Sequence, residues 1–234
     1  RDDTTSLAVA PAGVLPMENA TVGFNLVIGA LEKMTIDLEL GGSLLTRDLR
    51  SSSLQAGGFS SDAQYEYLRE LEPYFNLRTS SSLAFAGRGG VTFTLPHMGL
   101  RLGYEVIEPD YTSLGAYFFN TDVRNFTVAP TFRLFSGKMR VSGSLGVQSD
   151  NVGGTKTATT SRMITSANVG WSSDVSWGLD ARFSNYTTSQ VAERGLINDS
   201  IHVRNVNSMV SITPRTMFES NAFRHMFLLT ASYM

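Results

Sequence analysis

Between Met139 and Ser184 the chain alternates apolar and polar side chains with few exceptions. Met139, Val141, Gly143, Leu145 and Val147 interleave with Arg140, Ser142, Ser144, Gly146 and Gln148. Met163, Thr165, Ala167, Val169 and Trp171 then interleave with Arg162, Ser166, Asn168 and Gly170. After Ser172-Ser173-Asp174 come Val175, Trp177, Leu179, Ala181 and Phe183 against Ser176, Gly178, Asp180, Arg182 and Ser184. A period of two places successive side chains on opposite faces of a pleated strand, whereas an amphipathic helix needs a period near 3.6. The pattern therefore predicts long strands with one apolar and one polar face, and the rest of the chain has to be compatible with them.

The rest largely repeats the unit. Residues 1–19, with Pro11, Gly13 and Pro16, read as a loop. Strands are predicted over 21–30, 34–47, 83–95, 100–106 and 126–134. A ninth is predicted over 199–214. There Ile201 and Val203 are odd while Val206, Val210 and Ile212 are even, a parity slip that predicts a bulge. A tenth carries Phe227, Leu229, Ala231 and Tyr233. Residues 48–80 are loop chemistry around one short helix at 62–72, with Ser61 and Gln64 at capping-box spacing and Pro73 as the stop. Its apolar face, Tyr65, Tyr67, Leu68 and Leu71, is expected to pack on the sheet's own loops.

Connections are expected to be short at 31–33, 96–99, 136–138 and 172–174, and somewhat longer at 215–224. They are long at 48–80, 108–122, 151–157 and 188–198. Short turns at one end and long loops at the other, with strands of about 10–14 residues, fit strands that cross a bilayer at a tilt. Typical globular strands are nearer 5–6 residues. The expected fold class is an all-β, antiparallel, up-and-down transmembrane β-barrel. Ten strands are visible as a single domain over 1–234, with 48–80 as a long extracellular loop. With short turns on the periplasmic side, both chain ends fall on the outer side. That implies a further strand at each end and a barrel of twelve or more, unless 1–19 holds a strand of its own.

A soluble β-barrel also alternates but buries its apolar face inside. Two features favour the inverse arrangement. The polar faces are rich in Gly, Ser, Thr and Asn. Among them stand Asp37, Glu39, Arg88, Arg101, Glu105, Arg133, Arg140, Arg162, Asp180 and Arg182, the expected lumen-facing charges. Phe93, Phe135, Trp171 and Trp177 lie near strand ends, where a bilayer interface gathers aromatic residues. Lysine is scarce, only Lys33, Lys138 and Lys156 among 19 Lys and Arg residues. Soluble sheets usually blunt their edges and solvate their outer faces with Lys and Glu. The lumen charges read equally as an anion-favouring pore or as a salt-bridged filling.

Other chemistries find little support. A net charge of −2 gives no electrostatic case for nucleic acid, and the absence of cysteine removes disulfides and thiolate metal sites. No run of 18 apolar residues exists, so an ordinary transmembrane helix is excluded. Arg1-Asp2-Asp3 is no cationic leader, which reads as a mature or partial chain. His97, His202 and His225 have no metal-ligand spacing, and Gly87-Arg88-Gly89-Gly90 lies within a strand pattern, not before a helix. The sharpest enzymatic alternative is a hydrolase at the rim using Asp199, Ser200 and His202, which lacks an orienting partner for the base. A soluble adhesion or binding module is the third reading. No cofactor is expected.

Three segments carry a resemblance: Thr46-Arg47-Asp48-Leu49-Arg50-Ser51, Tyr111 through Phe118, and Asp150-Asn151 through Gly154-Thr155-Lys156-Thr157-Ala158-Thr159-Thr160. They resemble segments of large, poorly characterised outer-membrane β-barrel proteins of the Bacteroidota–Chlorobiota group. The resemblance implies a bacterial outer-membrane location, lipid as the main contact and other envelope proteins as partners. It implies no catalytic residues.

Overall fold

The computed structural model describes residues 15–53, 74–115, 120–173, 176–192, 203–220 and 223–234. The strands are β1 (Glu18–Leu31), β2 (Met34–Thr46), β3 (Ser81–Thr94), β4 (Met98–Ile107), β5 (Val123–Leu134) and β6 (Met139–Ser149). They continue with β7 (Ala158–Ser173), β8 (Trp177–Ala192), β9 (Val203–Ser220), β10 (Phe223–Leu228) and β11 (Ala231–Tyr233). They form one antiparallel sheet in sequence order from β1 to β10, with β11 also paired to β9, and the sheet does not close into a barrel. No crossover occurs, as expected of a meander whose strands are joined mostly by hairpins.

The register fixes which residues share a face. Phe132, Val141, Val169, Ala181 and Ile212 form one row across five strands. Leu134, Met139, Trp171, Leu179 and Pro214 form another. The opposite face carries the row Arg133, Arg140, Gly170, Asp180 and Thr213, and the row Ser142, Asn168, Arg182 and Ser211. The alternation in the sequence therefore becomes two chemically distinct sheet faces.

Two prolines mark breaks in the pairing. Ala129 and Pro130 drop out of the β5–β6 ladder, and Pro130 instead lies over Gly143, where an added Cβ would meet its Cγ at 3.7 Å. Pro214 accepts a bond from the Leu229 amide at 3.3 Å but has no N–H to return. The final strand is accordingly split into β10 and β11, although the register on either side of the break is the same.

Three expectations are corrected. The β8–β9 register runs unbroken from Gln190↔Val203 to Trp177↔Thr216, so there is no bulge and Val203 simply faces the polar side. The 215–224 stretch is not a connection: β9 continues to Ser220 and β10 begins at Phe223. Cross-strand pairs hold it extended. Phe218 stacks on His225 at 5.1 Å and on Phe227 at 5.5 Å, and Arg224 Nε donates to Glu219 Oε1 at 2.9 Å. Likewise β8 reaches Ala192, into the segment expected to be loop. The helix predicted at 62–72 lies outside the described residues.

The chain divides into two compact units, one of residues 1–24, 40–87 and 107–121, the other of residues 25–39, 88–106 and 122–234. The first contains an apolar cluster, Leu44, Phe75 and Leu77, with Leu83 packed against it. Polar bonds surround the cluster. Asn19 Nδ2 donates to Ser43 Oγ at 3.0 Å, to the Leu44 carbonyl at 3.1 Å and to the Thr112 carbonyl at 3.2 Å. Buried Thr46 bonds the Asn76 carbonyl at 3.1 Å and the Ser81 hydroxyl at 2.6 Å. Arg47 pairs with Asp110. These bonds tie the 47–53, 74–80 and 108–114 loop segments to the strand ends they flank.

Candidate functional site: the two faces of the sheet

The polar face pairs many of its charges across strands. Arg101 grips Asp37 with both ends of its guanidinium, Nη1–Oδ1 at 2.7 Å and Nη2–Oδ2 at 2.9 Å, and Nη1 also donates to Thr92 Oγ1 at 3.1 Å. Arg88 Nε donates to Glu39 Oε2 at 2.7 Å. The fork geometry of arginine suits such two-point contacts with a carboxylate. Gly90 makes the Asp37–Arg101 pair possible, because a Cβ there would lie 2.7 Å from Arg101 Nη2 and 2.9 Å from Asp37 Oδ1. Gly90→Ala is therefore expected to displace the Asp37–Arg101 pair and to cost at most about 1 kcal/mol, because both side chains are flexible and partly exposed. Gly29→Ala, where nothing lies within 4 Å, controls for the backbone change; denaturant unfolding of the two variants measures the difference.

The remaining charges expected on this face are arranged differently. Asp180 pairs with Arg215 at 3.8 Å, a partner the sequence reading placed in a connection. Arg162 donates to Gln148 at 3.4 Å. Glu105, Arg133, Arg140 and Arg182 have no ion pair among the described residues. The Glu219–Arg224 pair was likewise missed. Carrying the odd-position parity of β9 from Thr213 through Arg215 and Met217 to Glu219 would have found both acid–base partners.

The apolar face is largely uncovered. Its exposed side chains include Phe126, Leu145, Val147, Phe183, Val210 and Ile212. The four aromatic residues expected at an interface, Phe93, Phe135, Trp171 and Trp177, all sit at the short-turn ends of their strands. Trp171 lies opposite Leu179, and Trp177 lies one row further out, opposite Ser173. Phe135 is in a turn whose Phe135, Ser136 and Gly137 all have positive φ, at 53°, 55° and 90°. Polar residues interrupt this face at several levels, and in the middle of β8 they satisfy one another. Asn185 Nδ2 donates to Ser208 Oγ at 2.7 Å and Asn185 Oδ1 accepts from Thr187 Oγ1 at 3.0 Å. That limits the cost of taking them out of water.

At the long-loop end, Lys156 bridges Asp122 and Asp150. The Asp122 carboxylate also accepts the Val152 amide at 2.7 Å, and the Asn151 side chain accepts the Lys156 amide at 2.9 Å. Burial pushes the Asp122 carboxyl up, but the Lys156 ammonium and the Val152 and Asn151 amides outweigh it and hold it below its ordinary 3.8. Lys156 is held above its ordinary 10.5, first by its bond to Asp122. A lowered acid contributes stability that is complete above pH 3.8 and is lost as the pH falls through its folded value. The raised lysine contributes stability that is complete below pH 10.5 and is lost as the pH rises through its own folded value. The protection factor of the Val152 amide, its exchange rate relative to the intrinsic rate at the same pH, is expected to hold between these limits and to fall outside them. A flat profile below pH 3.8 would remove Asp122 from this role.

No group of three or more metal-ligating side chains is found among the described residues. Asp199, Ser200 and His202 lie outside the described residues. No helix of the described residues is long and apolar enough to cross a membrane, which leaves crossing by strands open. Comparison with family models, with curated proteins and with solved structures gives no match. The class defined is thus an all-β protein with one long-stranded antiparallel meander sheet whose two faces differ in chemistry.

Proposed function

We propose that the chain forms wall of an outer-membrane β-barrel of twelve or more strands, with the apolar face toward lipid and the polar face toward the lumen. It serves there as a passive channel or as a structural subunit of an envelope assembly. One observation carries the reading. The row Phe132, Val141, Val169, Ala181 and Ile212 is apolar across five strands, yet Ile212 remains exposed, as do Phe126 and Val147 further along the same face. An uncovered apolar surface on this scale is unusual for a soluble monomer. A lipid solvent would remove the cost, and the tryptophans at the short-turn ends match the belt such a wall carries.

Alkaline extraction of membranes from expressing bacteria tests this. The protein is expected to stay in the membrane fraction and to need detergent for solution. A protein that is monodisperse in buffer alone would instead be a soluble β-rich binding module. Conductance of loaded liposomes then separates a channel from a filled structural wall.

A further inference from the structure

We propose that Arg133 and Arg140 form an oxyanion site of the phosphate class on the polar face, at the short-turn end of β4, β5 and β6. The site stands on that face whichever solvent covers the other one.

The turn leading into β4 and the strands β5 and β6 contribute one row of nitrogen-bearing side chains. The Arg133 amide donates to the His97 carbonyl at 2.8 Å, which sets His97, just ahead of β4, opposite Arg133 on β5. Arg133 is in turn directly paired with Arg140 across β5 and β6. Neighbouring strands lie about 4.8 Å apart, so two guanidinium groups share one stretch of surface. Like charges in directly opposed positions are destabilising unless something answers them. Elsewhere on this face carboxylates answer Arg88, Arg101, Arg215 and Arg224. Here the row continues to Gly170, which has no side chain; the next residue, Asp180, leans its Oδ1 over Gly170 and reaches Arg215 through Oδ2 at 3.8 Å, but it makes no ion pair with Arg133 or Arg140.

The surroundings suit an oxyanion. A cavity of about 310 Å³ runs along this end of β3, β4 and β5, lined by Thr92, Thr94, His97, Gly99, Thr131 and Arg133 among others. That is the lower range of small-molecule sites. Threonine hydroxyls supply neutral donors, and Arg133 supplies a planar fork that matches phosphate oxygens. Gly99 keeps the floor open, since a Cβ there would stand 2.6 Å from Thr131 Oγ1. No carboxylate is among the described residues that line the cavity, and Arg101, which does line it, holds both oxygens of Asp37. An anion bridging Arg133 and Arg140 would supply the missing counter-charge.

Thermal unfolding and titration calorimetry of the purified full chain, in buffer alone or in detergent as its solubility requires, with inorganic phosphate against chloride at matched ionic strength, test the site. Wild type is expected to bind phosphate and to unfold at a higher temperature in its presence. Arg133→Gln/Arg140→Gln is expected to bind at least about tenfold more weakly and to show no phosphate-dependent shift. Without phosphate the double variant should be as stable as wild type or more so, because a repulsion has been removed. Binding retained by the double variant, absent from wild type, or specific to neither anion overturns the site. So does a double variant that is destabilised without phosphate, which would make the arginines structural. Arg162→Gln, removed from the row, should bind as wild type does. None of these outcomes depends on membrane extraction, so the two proposals fail separately.

Discussion

Val210→Arg is expected to cost about 2–4 kcal/mol of folding stability in lipid vesicles, the range for arginine at the midplane on a barrel's outer face. Met209→Arg, one residue earlier, is expected to cost little. The two positions make a matched pair. Both are apolar, both lie on β9, and their exposures are 38% and 40%. They differ in face. Val210 lies opposite Phe183 and Tyr233, in the row of Gly143 and Ala167, two rows inward from Trp171. Met209 lies opposite Ser184, on the side of Ser166. Water would treat the two substitutions alike, because an arginine on either surface would be solvated. Lipid on one side and an aqueous lumen on the other would separate them. Reversible urea unfolding in vesicles measures both, and equal costs would sink the assignment of the apolar face to lipid.

The stretch with the strictest alternation was also the most legible. From Met139 to Phe183 the predicted parity agrees with the paired rows of β6, β7 and β8. Reading failed where faces exchange chemistry. Met209 and Met217 stand on the polar side of β9, while Ser208 and Thr216 stand on the apolar side, so hydrophobicity alone did not mark the parity past Ile212, and only counting it onward by twos reaches Arg215 and Glu219. What keeps 215–224 extended is pairing between Phe218 and His225 and between Glu219 and Arg224, which exists only once the hairpin register is set. Asp37, Glu39, Arg88 and Arg101 were identifiable as members of one face, but not as partners. Their pairing depends on how β2, β3 and β4 align, and in an antiparallel sheet that alignment is fixed by turns and by packing rather than by composition. The opposition of Arg133 and Arg140 was hidden for a similar reason. Both were placed on the polar face, yet only the Phe135–Gly137 turn makes them meet.

The apolar cluster at Phe75 was the least legible part, since it draws on residues read as loop, and it carries the second large expectation. Phe75→Ala should cost about 3 kcal/mol, the lower end for losing a buried phenylalanine, because the cluster is small and can partly collapse. Phe75 is 7% exposed and packs with Leu44 and Leu77, each 6% exposed. Its neighbour Tyr74 is 87% exposed, so Tyr74→Ala serves as the control and should change little. The cluster sits where loop backbone bonds close, with the Leu77 amide on the Phe75 carbonyl and the Thr79 amide on the Ser52 carbonyl, each at 2.9 Å. Hydrogen exchange should therefore rise at Thr79 and at Arg47, whose amide bonds the Ser80 carbonyl at 3.3 Å. The Val152 amide, bonded within the other unit, should keep its rate, since effects at separate sites with no shared partners are close to independent. Equal loss of protection at both places would mean that one cooperative unit, not two, unfolds. No change at Thr79 would mean that the loop is held by its polar bonds around Thr46 and Asn19 rather than by the apolar cluster.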